Sequence, residues 1–501
     1  MRLGELLIGR GFVTLDDIDA ALHRQKIEGG RLGENLICLG KLTANQLSQM
    51  IDSVPPIPSS TAETGIVPRN LLNLLLKLMH VEALETVGEL VQRMKLDSRV
   101  IQELLDMAMQ LRFVYAKGST SREAAFGIRY ALGNLGKAAA KDALDQNLYL
   151  GPAPVSLAAY QTQIERQRIG NEKITENTLR QGLAGLVVSD DYVAKFLPAI
   201  NSGRTVLLFG APGNGKTTLA IRIAELFRDM VFIPYAVDVG GQIITVYDPG
   251  LHKLSISDKD AEALSTRPAL ERERLDQRWV ACKRPVAMTG GEFTLDMLDL
   301  KHNPDTKFYD APLHVKTLNG TLLIDDFGRQ NFDPSRLLNR WIVPMEHQID
   351  HLKLHSGTIF SLPFDGLVIF STNLDPSDLM DPAFLRRIQY KIKLGAPNRD
   401  EYWKVFDAVA SGFGLKLTEP IFNVVVNRLD QRFGLSYSQP NFICQQVIES
   451  CRSFGRPREL TAEGALAALS NLYYDIESER GSETVGEPVH SLRPLSSLRA
   501  V

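Results

Sequence analysis

Apolar positions recur at helical spacing through residues 1–54 and again beyond residue 67, while short unbroken apolar runs stand out further along the chain. The runs Thr205–Phe209, Thr321–Ile324 and Leu367–Ser371 have the length and composition of strands buried in a parallel sheet. In residues 1–54 the helical pattern is itself repeated. RLGELLIGRG begins at Arg2 and RLGENLICLG at Arg31, 29 residues on. Leu7/Leu36, Gly11/Gly40, Val13/Leu42, Ile18/Leu47 and Leu22/Ile51 stay in register, and Leu6/Asn35 is the mismatch. Each copy reads as a short helix, a glycine stop and a second helix capped by Thr14 or Thr43.

Residues 55–66 hold Pro55, Pro56 and Pro58 followed by Ser59, Ser60 and Thr61, the marks of a linker. Residues 67–150 predict helices at Leu71–Met79, Thr86–Met94 and Ser98–Leu111. Strand-like runs at Phe113–Tyr115 and Ile128–Leu132 flank a polar loop, and a closing helix follows at Lys137–Leu144. Gly151, Pro152 and Pro154 open a connector at 151–177. A nucleotide-binding core is expected over 178–397 and a mostly helical domain over 398–475. The polar, aperiodic stretch 476–501 is expected to be a disordered tail.

The chain has 501 residues, too many for one core. Its net charge of −3 pulls it toward neither nucleic acid nor an anionic membrane. Cys38, Cys282, Cys444 and Cys451 form no CxxC pair and have no His partners at ligand spacing, so a reduced protein without structural zinc or disulfides is expected. Cys444 and Cys451, seven apart, read as small core residues. No stretch reaches the length of a membrane span, and the N-terminus has no sustained apolar signal region. A cytoplasmic protein without membrane insertion is expected.

The strand Thr205–Phe209 runs straight into GAPGNGKT, with a helical stretch after it. Strand, glycine-rich loop and helix are the context of a phosphate-binding loop. Gly210, Ala211, Pro212, Gly213, Asn214 and Gly215 would wrap backbone N–H groups round a β-phosphate at a helix N-terminus, with Thr218 just inside the helix. Lys216 would reach the β- and γ-phosphates and Thr217 would ligate Mg²⁺. Thr321–Ile324 ends in Asp325 and Asp326. The first is the candidate for the Mg²⁺ shell and the second for orienting or deprotonating the attacking water. Leu367–Ser371 is followed by Thr372 and Asn373, and DPAFLRRI at Asp381–Ile388 carries Arg386 and Arg387.

In combination and order, these motifs over Thr178–Asp475 resemble AAA+ ATPases. The resemblance implies an α/β P-loop core with a parallel sheet, a helical lid and a homo-oligomeric ring, usually hexameric. It gives Asn373 a polar contact to the γ-phosphate or the water, and Arg386 or Arg387 the role of a finger toward the neighbouring subunit's ATP. Two departures stand out. Asp326 occupies a position usually held by Glu, and Asn441 stands where the lid's arginine is expected. The insertion over 236–309, with Val239–Ile244, Ala269–Arg278 and Met288–Phe293, receives no role.

Residues 67–150 resemble a winged helix-turn-helix domain. From Pro68 to Leu150 there are eleven Lys/Arg and nine Asp/Glu, and DNA binding needs clustered positive charge. The balance favours a protein-contact or spacer role over DNA binding. The tandem RLG unit resembles the N-terminal domain of type IV pilus and type II secretion ATPases, which binds cyclic di-GMP in some members. Two copies of one motif suit a ligand with two equivalent halves. Arg2, Leu3, Gly4, Leu7, Gly11 and Gln25 in the first copy match that unit, as do Arg31, Leu32, Gly33, Leu36 and Gly40 in the second. Arginines would fork onto guanine or phosphate, glycines admit the phosphate, and leucines lie on the purines. Val54 replaces the second copy's terminal Gln.

The expectation is an ATP- and Mg²⁺-dependent AAA+ motor that remodels a protein client under cyclic di-GMP control. The alternatives are an ATP-dependent DNA-binding transcription regulator and a nucleotide-gated scaffold with little hydrolysis.

Overall fold

The computed structural model describes residues 3–117, 128–255 and 275–473. Arg2, the expected tail and most of the stretch Ala269–Arg278 lie outside the described residues. The chain divides into two compact units. The first comprises Met1–Ala211 and Lys216–Leu394, and the second Pro212–Gly215 and Gly395–Val501.

The first unit is built on a five-stranded parallel sheet with helices against it. Its strands run Tyr390–Lys393, Val206–Phe209, Leu367–Thr372, Thr321–Ile324 and Val286–Thr289 in spatial order. Every residue of the strands Thr321–Ile324 and Leu367–Thr372 is buried, as continuous apolar runs require. The three predicted runs are therefore the middle of the sheet. The two flanking strands escaped the sequence reading. In Val286–Thr289 exposed and buried residues alternate, and Tyr390–Lys393 carries two lysines. Both are edge strands, half in solvent, with no unbroken apolar run.

A second, mixed sheet joins Lys301–Asn303, Phe308–Asp310, Gln242–Thr245, Ala236–Val239 and Val155–Ser156. Gly240 and Gly241 both take positive φ, 60° and 85°, and close the hairpin between Ala236–Val239 and Gln242–Thr245. Residues 151–177, expected as a bare connector, supply that sheet's last strand and the helix Leu157–Arg166.

The N-terminal repeat forms four helices, Leu3–Gly9, Leu15–Glu28, Leu32–Cys38 and Ala44–Ser53. Thr14 and Thr43 open the second helix of each copy. Thr14 exchanges capping bonds with Asp17, and Thr43 with Gln46. Leu6, Leu7, Leu36 and Met50 are fully buried, in one core with the strand pair Met230–Pro234/Trp279–Lys283 and the hairpin Ile349–Lys353/Ile359–Pro363. The mismatch of Leu6 with Asn35 has a local cause. Asn35 is buried and its amide donates to the carbonyls of Gly29, at 3.0 Å, and Arg31, at 2.9 Å, fixing the turn between the copies.

Residues 67–150 follow the predicted order. Helices Pro68–Val81, Val87–Met94 and Ser98–Gln110 precede the hairpin Val114–Lys117/Arg129–Leu132 and the helix Asn134–Gln146. The second unit holds four described helices, Arg399–Gly412, Glu419–Arg432, Gln439–Ser453 and Ala462–Leu472, round a core of Tyr402, Phe406, Val425, Leu429 and Ile443. Cys444 sits in that core and Cys451 at its margin.

Candidate functional site

Three central strands are parallel neighbours, so the residues leaving their C-terminal ends emerge along one edge of the sheet. From Val206–Phe209 comes the glycine-rich loop, from Leu367–Thr372 comes Asn373, and from Thr321–Ile324 come Asp325 and Asp326. At Gly210 the backbone takes φ 145° and passes so close to Leu394 that a Cβ would stand 2.2 Å from its carbonyl oxygen. Only glycine fits there.

Lys216 is buried at the start of the helix Lys216–Ala224. Its ammonium donates to the carbonyls of Gly210 and Ala211, both at 2.9 Å, and to Asn373 Oδ1 at 2.5 Å. Asn373 in turn donates from Nδ2 to Asp326 Oδ1 at 3.2 Å. Thr217 Oγ1 donates to Asp325 Oδ2 at 2.7 Å. The structure thus brings Lys216, Thr217, Asp325, Asp326 and Asn373 into one connected cluster. Burial pushes the Lys216 pKa below its ordinary value, and the charges of Asp325 and Asp326 oppose that shift. A buried cation whose charge is disfavoured by desolvation favours an incoming anion.

The turn after Ile324 is shaped for this work. Asp326 takes the left-handed conformation at φ 48°, and its N–H donates to Asp325 Oδ1 at 3.0 Å. Gln330 locks that turn. It is buried, and its amide donates to the carbonyls of Gly290, Asp325 and Asp326 at 3.3, 3.1 and 3.3 Å. Its Oε1 accepts from the Gly328 N–H at 2.9 Å. Sequence reasoning missed Gln330, because no motif marks a side chain that acts only by satisfying backbone groups. Gly290 itself lies in a tight turn, its N–H bound by Glu292 Oε1 at 2.9 Å.

A Mg²⁺ site fits these residues. Among the described residues no group of three or more His, Cys, Asp or Glu could hold a metal. Mg²⁺ in phosphate-transfer sites takes few protein ligands beside phosphate oxygens and water, and the Thr217 hydroxyl and Asp325 carboxylate are hard oxygen donors of that kind.

The remaining loop residues and the two arginines are placed as follows. Asn214 is buried, and Thr218 is exposed in the first turn of the helix. Pro212–Gly215 groups with the second unit, where Gly213 O accepts from the Ser438 N–H and the Ser436 hydroxyl, each at 3.1 Å. Asn441 is exposed within the helix Gln439–Ser453. Arg386 and Arg387 close the helix Pro382–Arg387 with different surroundings. Arg387 binds Glu346 at 2.5 Å and lies 5.8 Å from the Phe384 ring centroid, whereas Arg386 is exposed and pairs with no described residue.

The repeat module uses its signature residues mostly for itself. Leu3, Gly4, Leu7, Gly33 and Leu36 are buried, and Leu32 is half-buried. A Cβ on Gly33 would meet Leu47 at 2.8 Å, and one on Gly4 would meet Ile18 at 3.5 Å. These two glycines serve helix packing, and the leucines expected on purine faces serve the core. Gly11 and Gly40 end the first helix of each copy at φ 68° and 67°. Gln25 is buried and donates to Gly30 O at 2.7 Å, while its Oε1 has no hydrogen-bond partner among the described residues. Arg31 is exposed.

A family profile described as a domain of unknown function (DUF8689) matches residues 398–471. No curated protein matches the chain. Among solved structures it is similar to Thermotoga maritima RuvB, described as a Holliday junction branch migration motor. The identity is 17% over 62% of this chain and 74% of that one, with a TM-score of 0.30. A lysine-to-arginine variant of the same protein gives 15%, the same coverage and a TM-score of 0.33. Function has to be read from this chain's own residues.

Proposed function

We propose that the chain is a Mg²⁺-dependent ATPase of the AAA+ type that acts as a ring and remodels a protein client, with its N-terminal repeat answering to cyclic di-GMP. The observation that carries the reading is the cluster Lys216–Asn373–Asp326 beside Thr217–Asp325 at the C-terminal edge of a parallel sheet. The loop N–H groups and Lys216 bind phosphate. Asn373, tied to both Lys216 and Asp326, orients the groups round the reacting phosphoryl, and Asp326 positions the attacking water and accepts its proton. A metal held by Thr217 and Asp325 supplies charge neutralisation when bound.

Two contacts support a protein client over a DNA operator. The Thr61 N–H of the linker donates to Glu103 on the helix Ser98–Gln110 at 2.7 Å, which lays the linker across the helix that would enter a groove. Glu85 pairs with both Lys117 and Arg129, offsetting part of the positive charge of the strand hairpin. The core shared by the repeat helices and the hairpin 349–363 offers a physical route from ligand to motor.

Phosphate release with purified protein tests the chemistry. Lys216→Ala is expected to abolish ATP binding. Asp326→Asn is expected to leave binding intact and to lower turnover by about a hundredfold or more, the size of one general-base contribution. Wild-type turnover in Asp326→Asn would remove the water-positioning role.

A further inference from the structure

The second unit carries an exposed aromatic ring beside several arginines. From the last two residues of the helix Gln439–Ser453 into the turn that leads to the helix Ala462–Leu472, every residue from 452 to 459 is exposed. Phe454 lies in this stretch and is 70% exposed, among the most exposed large apolar side chains of the described chain. Arg452, Arg456 and Arg458 surround it in sequence, and none pairs with a described acidic residue, although Glu449 and Glu459 are close along the chain. Glu449 is instead bonded by Gln445 at 3.0 Å. The Arg456 guanidinium stands 5.4 Å from the Phe454 ring centroid.

An aromatic ring in water has a reason to be buried. Three arginines with no acidic partner among the described residues leave their forks open to an anion. A protein interface usually sets its aromatic anchor within a wider apolar core, but Phe454 has only exposed neighbours along its loop. An exposed ring with one guanidinium beside it, and two more exposed arginines within four residues in sequence, is instead the equipment of a stacking platform, where a planar base lies on the ring and adjacent phosphates meet the arginines. A duplex keeps its base faces stacked, so the ligand must be single-stranded.

We propose that the loop Arg452–Glu459 binds single-stranded nucleic acid, with Phe454 stacking on one base and Arg452, Arg456 and Arg458 on the flanking phosphates. The proposal stands independently of the ATPase reading, since it needs neither nucleotide nor ring.

Fluorescence anisotropy on the full chain, without ATP, tests it, using a labelled oligothymidylate of about twenty nucleotides, a length that spans such a loop several times over. Three phosphate contacts imply binding roughly twentyfold weaker at 200 mM than at 50 mM salt. Phe454→Ala is expected to weaken binding about tenfold or more, and Phe454→Trp to retain it. Arg456→Ala/Arg458→Ala is expected to weaken binding and flatten the salt dependence. All these side chains are exposed, so circular dichroism melting should be unchanged. Three results would overturn the proposal: no binding at 50 mM salt, undiminished binding by Phe454→Ala, or a duplex of the same length binding as well as the single strand. Full competition by polyglutamate, with Phe454→Ala without effect, would mark the loop as a site for an acidic protein.

Discussion

Single residues here often carry their meaning through what they leave exposed or force into the interior. Lys77 is the clearest case outside the candidate site. It lies in the helix Pro68–Val81 with only 2% of its surface exposed, and donates to Asn147 O at 3.1 Å and Asn147 Oδ1 at 2.6 Å. Burial pushes its pKa down from 10.5 to about 8. The sign of the consequence follows. Between those values the unfolded chain holds the proton and the folded chain releases it, so stability rises with pH through that window. Thermal or denaturant unfolding from pH 8 to 10 is expected to show a gain of about 2 kcal/mol attributable to this group, absent in Lys77→Met. Above pH 10 the buried phenols of Tyr149 and Tyr160, whose pKa values burial pushes up, reverse the trend. An unchanged slope in Lys77→Met would show that its ammonium is solvated.

At the scale of elements, the two copies of the N-terminal repeat share a pattern and differ in detail. Thr14–Asp17 and Thr43–Gln46 cap equivalent helices, but Asn35 closes the inter-copy turn where the first copy has the buried Leu6. The buried leucines and packed glycines leave Arg31, and Gln25 Oε1 with no partner among the described residues, as groups available to a ligand. Arg31→Ala is therefore expected to weaken cyclic di-GMP binding about tenfold, the worth of one charge-assisted contact, with little change in folding. Titration calorimetry of the full chain measures it. No heat at high micromolar ligand would reduce the module to a helical support for the hairpin 349–363, with which it shares a core.

For the whole molecule the question is whether one chain completes its own site. Arg387 is engaged by Glu346 within its own chain, and Arg386 is not engaged by any described residue. If a neighbouring subunit completes the site, that difference makes Arg386 the candidate to reach its phosphates. Arg386→Ala is expected to cut turnover by about a thousandfold, the scale of an arginine finger, without lowering the melting temperature. Arg387→Ala removes an exposed ion pair and is expected to cost about 1 kcal/mol or less in stability. Mixing Arg386→Ala with Lys216→Ala subunits should restore part of the activity, because mixed neighbours rebuild some complete sites. Full activity from a strictly monomeric protein would contradict shared sites.

The chemistry-bearing residues were legible in the sequence because each sits at a fixed offset from an unbroken apolar run. Lys216 and Thr217 follow Thr205–Phe209, Asp325 and Asp326 follow Thr321–Ile324, and Asn373 follows Leu367–Ser371. A strand buried on both faces must read as continuous apolar residues, so its end can be found without coordinates. The repeat was legible for a similar reason, since both copies bury the same positions of one helical pattern in a shared core. What the sequence left open depended on contacts made over long separations. The edge strands Val286–Thr289 and Tyr390–Lys393 lack a continuous run because one side of each meets solvent. Gln330 has no pattern, because satisfying backbone carbonyls requires only an amide within reach. The two adjacent arginines were equivalent until Glu346, 41 residues before Arg387 in the chain, engaged one of them. Local periodicity records which face of an element is dry. Only the packing of distant elements decides which polar groups are consumed by neighbours and which remain available for chemistry.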